Sequence, residues 1–148
     1  MTKDEMKKVV CQAIDEAAEK IHETVLRIES EPELGYKETK TAAKVESYMK
    51  ELGLTPQTGL ALTGVKTCVD GGKKGPAVAV LAELDAVGTP DSPKADPLTG
   101  AAHTCGHFLQ MASMLAACTG IVKSGVMKDL AGSAVFFAVP AEEYVEID

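Results

Sequence analysis

The chain has 148 residues, of which 45% are hydrophobic and 25% are charged, and its formal net charge at pH 7 is −7. This balance is typical of one folded domain and argues against an intrinsically disordered chain. Clustered Lys and Arg bind nucleic acids and anionic membranes, so the negative charge argues against both, and we expect a small-molecule or dipeptide partner.

The first thirty residues are predicted to form one long helix. Thr2 and Glu5 have the spacing of a capping box, and apolar residues then recur at helical intervals as far as Ile28. Pro32 disfavours helical geometry in the residue before it, so we expect the helix to end near Ser30.

Neither a signal peptide nor a membrane span is predicted. The chain starts without an apolar segment behind a basic end, and no stretch reaches about 18 uninterrupted apolar residues. Its four cysteines lack the dense spacing of a secreted disulfide scaffold. We therefore expect a cytoplasmic chain with reduced thiols, in which Cys11, Cys68 and Cys118 are small buried residues.

Further helices and strands are predicted along the rest of the chain. A helix should run from about Thr39 to Gly53, followed by strands over 62–69 and 77–82. The second strand is apolar on both alternating faces, which is typical of a strand covered on both sides of its sheet.

Residues 86–102 contain three prolines and two glycines and are predicted to form a long loop, a kind of segment that is often functional. An apolar helix after His107 and a buried strand over 133–139 complete the pattern. Helices that alternate with buried strands predict an α/β layered domain, with a mostly buried mixed sheet and helices on both faces.

The first candidate site is the segment from His103 to His107. Residues two apart in an extended segment point the same way, so Cys105 and His107 can converge on one ion, and His103 falls on that face too. Thiolate and imidazole both bind transition metals. The alternative is a buried thiol followed by an ordinary histidine at the start of a helix.

Acidic residues follow two of the predicted strands. Glu142 and Glu143 project in roughly opposite directions, so one could bind an ion while the other accepts a proton from water, as general-base hydrolysis requires. Asp85 could accept the free ring N–H of a ligating histidine. The alternatives are a solvated acidic turn of Glu142, Glu143 and Glu146, and a loop-capping aspartate at Asp85.

Three segments, 82–86, 100–107 and 139–143, resemble in order and spacing the co-catalytic metallopeptidases. That family includes aminoacylases, carboxypeptidase G, hippurate hydrolase, auxin-conjugate hydrolases and aminobenzoyl-glutamate hydrolases. The segment 31–38 is similar to the first interhelical segment of the family, so the resemblance covers essentially the whole chain. Glu83-Leu84-Asp85 and the Pro-Ala-Glu-Glu-Tyr ending look closest to the aminobenzoyl-glutamate hydrolase and dipeptidase-like branch.

The resemblance implies a partial zinc-exopeptidase-like catalytic domain that hydrolyses amide bonds in N-acyl amino acids or dipeptides. It implies two divalent ions, of Zn, Mn, Co or Ni, with Cys105 bridging them. His107 would bind one ion and Glu143 the other. Glu142 would be the general base, and Asp85 would be the catalytic carboxylate behind a ligating histidine.

The chain also departs from the family. Phe108 and Gln110 stand where the family usually has Asp or Asn and, two residues later, often His. Family members are much longer and add histidine ligands and a lid and dimerisation domain. We therefore expect 1–148 to be one truncated catalytic domain without the lid, which holds metal poorly, is inactive as a fragment and forms a homo-oligomer.

The alternative function is a truncated, non-catalytic domain that acts as a binding or oligomerising module. Missing strands would leave apolar surface exposed, and such surface tends to be buried by association. A redox protein is disfavoured because the sequence has no Cys-x-x-Cys pair.

Overall fold

The computed structural model describes residues 1–143, which form a layer of helices on a four-stranded sheet. The helices are α1 (Lys3–Glu16), α2 (Ala18–Glu29), α3 (Thr39–Glu51) and α4 (His107–Ser124), with a 3₁₀ turn at Val126–Asp129. The strands are β1 (Gln57–Leu60), β2 (Gly64–Asp70), β3 (Lys73–Glu83), β4 (Val87–Gly88), β5 (Ala101–Ala102) and β6 (Ala131–Val139).

The predicted N-terminal helix is present, but it is divided in two at Ala17. Thr2 and Glu5 form both hydrogen bonds of the capping box, and α2 ends at Glu29, close to the predicted end. The Ala17 N–H donates to the carbonyl oxygen of Ile14 at 3.0 Å, three residues back, which tightens the turn there. The break allows α1 and α2 each to pack against α4.

The main sheet has the strand order β1-β2-β6-β3. The predicted strand over 133–139 is its centre, since β6 pairs antiparallel with β2 and parallel with β3. Parallel strands end at the same edge of a sheet, so the segments that follow β3 and β6 emerge side by side.

Helices α2, α3 and α4 share one hydrophobic core with one face of the sheet. The hydroxyl groups of Tyr48 in α3 and Thr119 in α4 lie 2.8 Å apart, and Phe136 in β6 is buried beneath the helices. Helix α4 is apolar nearly all round because the sheet lies on one side of it and α1 and α2 on the other.

The opposite face of the sheet differs from the expectation of helices on both faces. It carries alternating residues of the three neighbouring strands: Lys66, Cys68, Ala79, Leu81, Val135 and Phe137. Leu81 is 59% exposed, because β3 has β6 as its only strand partner within residues 1–143 and the described helices pack on the other face. The α/β class and the mixed sheet are confirmed, whereas the apolar strand over 77–82 is covered on one face only and, within residues 1–143, lies at the edge of the sheet.

The cysteines also differ from expectation in two cases. All four are free thiols, but Cys11 and Cys68 are exposed. Cys118 is fully buried within α4, and this burial raises its pKa to about 12. Within residues 1–143, none of the helices combines the length and apolar character needed to cross a bilayer.

Candidate metal centre

The ends of two strands and the start of one helix meet at a single place. Asp85 follows β3, Glu142 follows β6, and His107 is the first residue of α4. The pairing of β3 with β6 continues to Glu83 opposite Val139, so the two exits are neighbours. Gly106 has a φ of 92°, a conformation that favours glycine and that turns the chain into α4.

The ring of His107 lies at the centre of this cluster and is almost fully buried. Its Nδ1 is 2.9 Å from the backbone oxygen of Asp85. Since a carbonyl oxygen only accepts, Nδ1 carries a proton and donates it to this bond. Nε2 then faces the carboxylates of Glu83 at 2.9 Å, Glu143 at 3.5 Å and Glu142 at 3.7 Å. This is the orientation that a metal-ligating histidine adopts.

Two overlapping groups of three side chains could each hold an ion. The donor atoms of Cys105, His107 and Glu143 lie within 4.8 Å of one another, and so do those of Glu83, His107 and Glu142. Thiolate, imidazole and carboxylate are the donors that zinc and its neighbours take in proteins. The structure therefore brings the three predicted metal ligands together and adds a second group beside them.

Charge also fits a cation at this position. The carboxylates of Glu83, Asp85, Glu142 and Glu143 surround one imidazole, and this excess of negative charge would be balanced by divalent ions. Burial raises the pKa of the Cys105 thiol, and the negative charge of Glu143 raises it further. A metal that takes this sulfur as thiolate would have to displace its proton.

Asp85 is fully buried and makes two kinds of contact. Its Oδ2 accepts from the backbone N–H of Glu143 at 3.1 Å. Its Oδ1 lies 3.2 Å from Nδ1 of His107, but it has no hydrogen bond of acceptable geometry within residues 1–143. The backbone carbonyl of Asp85 is therefore the better acceptor for the ring, and the side chain holds the turn that carries the acidic pair.

The acidic pair is partly solvated. The side chain of Glu142 is 50% exposed and that of Glu143 is 32% exposed. Both carboxylates nevertheless approach the same atom, Nε2 of His107, so the expectation that the two side chains project in roughly opposite directions is wrong. Glu146, the third member of the alternative acidic turn, lies outside the described residues.

His103 is not brought into the cluster. Its ring packs against Phe108 with the centroids 5.8 Å apart, and both ring nitrogens are buried without a hydrogen-bond partner in the described part of the chain. Burial lowers its pKa to about 4, and the nearby His107 acts in the same direction. The prediction that His103 lies on the same face as Cys105 and His107 is therefore wrong.

Two carboxylates at the site were not singled out from the sequence. Glu83 is two residues before Asp85 at the end of a strand, and that spacing was an available signal for a shared face. Glu38 is fully buried, and its Oε1 accepts from the backbone N–H of Ala141 at 2.8 Å. No local pattern predicts this contact, because the partners are 103 residues apart.

Comparison with known proteins identifies relatives over most of the chain, although no family model matches it. It is 32% identical over 142 residues to YhaA of Bacillus subtilis, a candidate amidohydrolase, covering 94% of this chain and 35% of that protein. It is 34% identical over 122 residues to thermostable carboxypeptidase 2 of Saccharolobus solfataricus, covering 79% of this chain and 30% of that one. The chain thus spans about a third of the length of these curated relatives.

Solved structures agree with the sequence relatives. The YxeP protein of Bacillus subtilis, a dinuclear metal-binding peptidase of the M20 family, superposes with a TM-score of 0.73 at 26% identity, over 84% of this chain and 35% of that one. A candidate aminohydrolase of methicillin-resistant Staphylococcus aureus gives a TM-score of 0.78 at 25% identity, over 93% of this chain and 35% of that one. These sequence relatives and solved structures together support the assignment of this chain to the M20 family of metallopeptidases and amidohydrolases.

Proposed function

We propose that this chain forms the metal-binding part of a hydrolase that cleaves the amide bond of N-acyl amino acids or dipeptides. The observation that carries the proposal is the convergence of Cys105, His107 and Glu143 at the exits of two parallel strands. Relatives named as an N-acetylcysteine deacetylase of Bacillus subtilis and an IAA-amino acid hydrolase of Arabidopsis thaliana support this substrate class.

Two divalent ions, of Zn, Mn, Co or Ni, fit the donor set. The side chains of Cys105, His107 and Glu143 would hold these ions, with Cys105 shared between them, His107 on one ion and Glu143 on the other. Such ions, when bound, supply Lewis acidity at the amide carbonyl and a nucleophile at neutral pH.

The remaining chemistry belongs to the acidic side chains. Glu142 is half exposed and its Oε2 lies 3.7 Å from Nε2 of His107, so it reaches both the cluster and solvent. It can accept a proton from water at this carboxylate and pass it to the leaving amine. Asp85 orients the ring of His107 and holds the backbone of Glu143.

Metal binding by the chain is the decisive test. Protein stripped with EDTA should take up Mn²⁺, Zn²⁺ or Co²⁺ weakly in calorimetric titrations, since three protein ligands would be shared by two ions. Cys105→Ser should weaken binding by about tenfold or more. Cys68→Ser removes an exposed thiol on the open sheet face, the face opposite the helices. It is the matched control and should bind metal like wild type. Equal affinity in both variants, or no binding at all, would contradict the proposal.

Hydrolysis should be assayed in parallel on N-acyl amino acids and aminobenzoyl-glutamate. Because three protein ligands shared by two ions should hold metal only weakly, we expect no measurable turnover by the 148-residue chain alone. Turnover that disappears on addition of EDTA would show that the chain is a working enzyme by itself.

A second candidate function is a non-catalytic module that associates with itself as a homo-oligomer. The exposed apolar side chain of Leu81 on the open sheet face favours it. Gel filtration combined with metal analysis separates the two functions. The net charge of −7 supports a small substrate over nucleic acid or a membrane, and the four free thiols support a cytoplasmic location.

A further inference from the structure

Glu38 is a buried carboxylate for which the proposed chemistry has no use. It lies at the start of α3, is 0% exposed, and is absent from both groups of potential metal donors. Its two oxygens accept hydrogen bonds from different parts of the fold. Oε2 accepts from the hydroxyl of Thr63 at 2.7 Å, and Oε1 accepts from the backbone N–H of Ala141 at 2.8 Å.

The second of these bonds holds the residue that leads into the acidic pair. Ala141 follows β6 after the last paired residue, Val139, so its N–H no longer belongs to the strand ladder. Its φ is 50°, in the left-handed region that residues with a Cβ rarely adopt. Such a conformation persists only where surrounding contacts impose it. Glu38 supplies one such contact, and Asp85 supplies another two residues later, at the N–H of Glu143.

The segment that carries Glu38 also holds the other strand exit. The backbone oxygen of Glu33 accepts from the N–H of Ala86 at 2.8 Å, and Leu34 forms an isolated bridge with the same residue. The Glu33 carboxylate accepts from the N–H groups of Lys40 at 3.1 Å and Thr41 at 2.7 Å, which anchors the segment to the first turn of α3. One short segment thus ties the ends of β3 and β6 to the same helix.

We propose that Glu38 is a positioning residue, which fixes the turn at Ala141 so that the carboxylates of Glu142 and Glu143 face Nε2 of His107. The consequence for metal affinity rests on the proposed function. The consequence for the turn does not, because it concerns hydrogen bonds of the chain itself. Loss of the Glu38 carboxylate should therefore loosen 141–143 and weaken metal binding without removing any proposed ligand.

Three variants of the full chain test this role. Glu38→Ala removes both hydrogen bonds. Thr63→Val removes only the hydrogen bond between Thr63 and Glu38 and leaves the one between Ala141 and Glu38 in place. Glu38→Gln keeps an oxygen that can accept from Ala141, and its amide can donate to the hydroxyl of Thr63. Amide hydrogen exchange at Ala141 and Glu143 should be measured by NMR in metal-free protein, relative to core amides of β6. Co²⁺ affinity should be measured by titration of the same samples.

We expect Glu38→Ala to speed exchange at Ala141 and Glu143 relative to the core amides and to lower Co²⁺ affinity by about tenfold. Thr63→Val should leave both readouts near wild type even where it lowers overall stability, and Glu38→Gln should restore both. A Glu38→Ala protein that behaves like Thr63→Val in both readouts would overturn the positioning role. So would a Glu38→Gln protein that behaves like Glu38→Ala.

Two further outcomes remain decisive. If Glu38→Ala does not fold, Glu38→Asp replaces it, because its side chain is one methylene shorter and cannot reach both partners. Wild-type exchange at Ala141 in that variant would overturn the proposal. If wild-type protein binds no Co²⁺, the proposed function fails, and the exchange rates alone still decide whether Glu38 holds the turn.

Discussion

Glu83 and Asp85 present acidic groups to the two ring nitrogens of one histidine. The Glu83 carboxylate lies 2.9 Å from Nε2 of His107, and the Asp85 carboxylate lies 3.2 Å from Nδ1. Both acidic residues leave the end of β3, and the ring stands at the start of α4. Glu83 is also the carboxylate nearest to Nε2, ahead of both members of the acidic pair. It therefore contributes to the field at the candidate metal site.

Glu83→Gln should lower the affinity of the chain for divalent ions. The substitution keeps the shape of the side chain and removes the negative charge nearest to Nε2, and a loss of about 10–100-fold is expected for a group in contact with a ligand. Titration with Co²⁺ or Mn²⁺ measures it. Glu46→Gln is a suitable control, since that carboxylate pairs with Lys50 along α3. Unchanged affinity in Glu83→Gln would remove this residue from the site.

The two members of the acidic pair should respond differently to substitution. Glu142→Gln should lower metal-dependent amide hydrolysis by about 10²–10⁴-fold, because it removes the proton acceptor, and it should leave metal binding nearly unchanged. Glu143→Gln should instead weaken metal retention, because it takes a charged oxygen from the ion. Elemental analysis after dialysis and turnover assays on the same samples measure both. The opposite pattern would exchange the two roles.

The sequence predicted what depends on local pattern and could not predict what depends on distant contacts. The capping box at Thr2, the helix from Thr39 and the central strand before Pro140 follow from spacing and turn residues. The exposure of Leu81 could not be read in advance, because an apolar run looks alike in a central and an edge strand. The hydrogen bond from Ala141 to Glu38 depends on how α3 packs beside β6, which no local pattern records.

The candidate site shows the same division. As the motif spacing predicted, Cys105, His107 and Glu143 lie together at one edge of the sheet. The ends of the parallel strands β3 and β6 and the start of α4 meet at this edge. The same spacing argument failed for His103, whose ring turns to Phe108. Alternation along an extended segment holds only while the backbone stays extended, and the chain turns before α4.

Gly132→Ala should be strongly destabilising. Gly132 has a φ of 89°, and an added Cβ would lie 1.9 Å from the backbone oxygen of Pro76 in the neighbouring strand. We expect a loss of about 2–5 kcal/mol in the free energy of unfolding, from the unfavourable conformation together with the clash. Gly59→Ala is the matched control: its φ is 73° but no atom lies within 4 Å of the added Cβ, so about 1–2 kcal/mol is expected. Urea unfolding measures both, and equal losses would argue against the close approach at Gly132.

His103 should make the metal-free chain less stable in mild acid. Its pKa falls from 6.5 to about 4 on folding, so between these values the unfolded chain binds more protons than the folded chain. The contribution of His103 to the free energy of unfolding is therefore fully present above pH 6.5 and decreases as the pH falls toward 4. Below that pH it does not change further. We expect a loss of about 2 kcal/mol, a value reduced for partial solvent screening of the ring.

Urea unfolding in EDTA at a series of pH values checks this expectation. His103→Gln should flatten the dependence between pH 6.5 and 4, whereas His22→Gln, which removes an exposed histidine of α2, should keep it. An identical pH dependence in wild type and His103→Gln would mean that another group carries the effect.

Leu81→Asp should reduce self-association of the chain. Leu81 is 59% exposed and stands beside Phe137 on the open face of the sheet, in a strand whose other edge has no partner among residues 1–143. An apolar face next to an unpaired strand edge is a surface that copies of a chain tend to bury together. Wild-type protein should therefore sediment as a dimer or larger species at micromolar concentration, and the added charge should shift it toward monomer. Leu98→Asp changes a 93% exposed leucine in the loop between β4 and β5, so it should leave sedimentation unchanged. A monomeric wild-type chain, or an equal shift in both variants, would show that this face does not drive association.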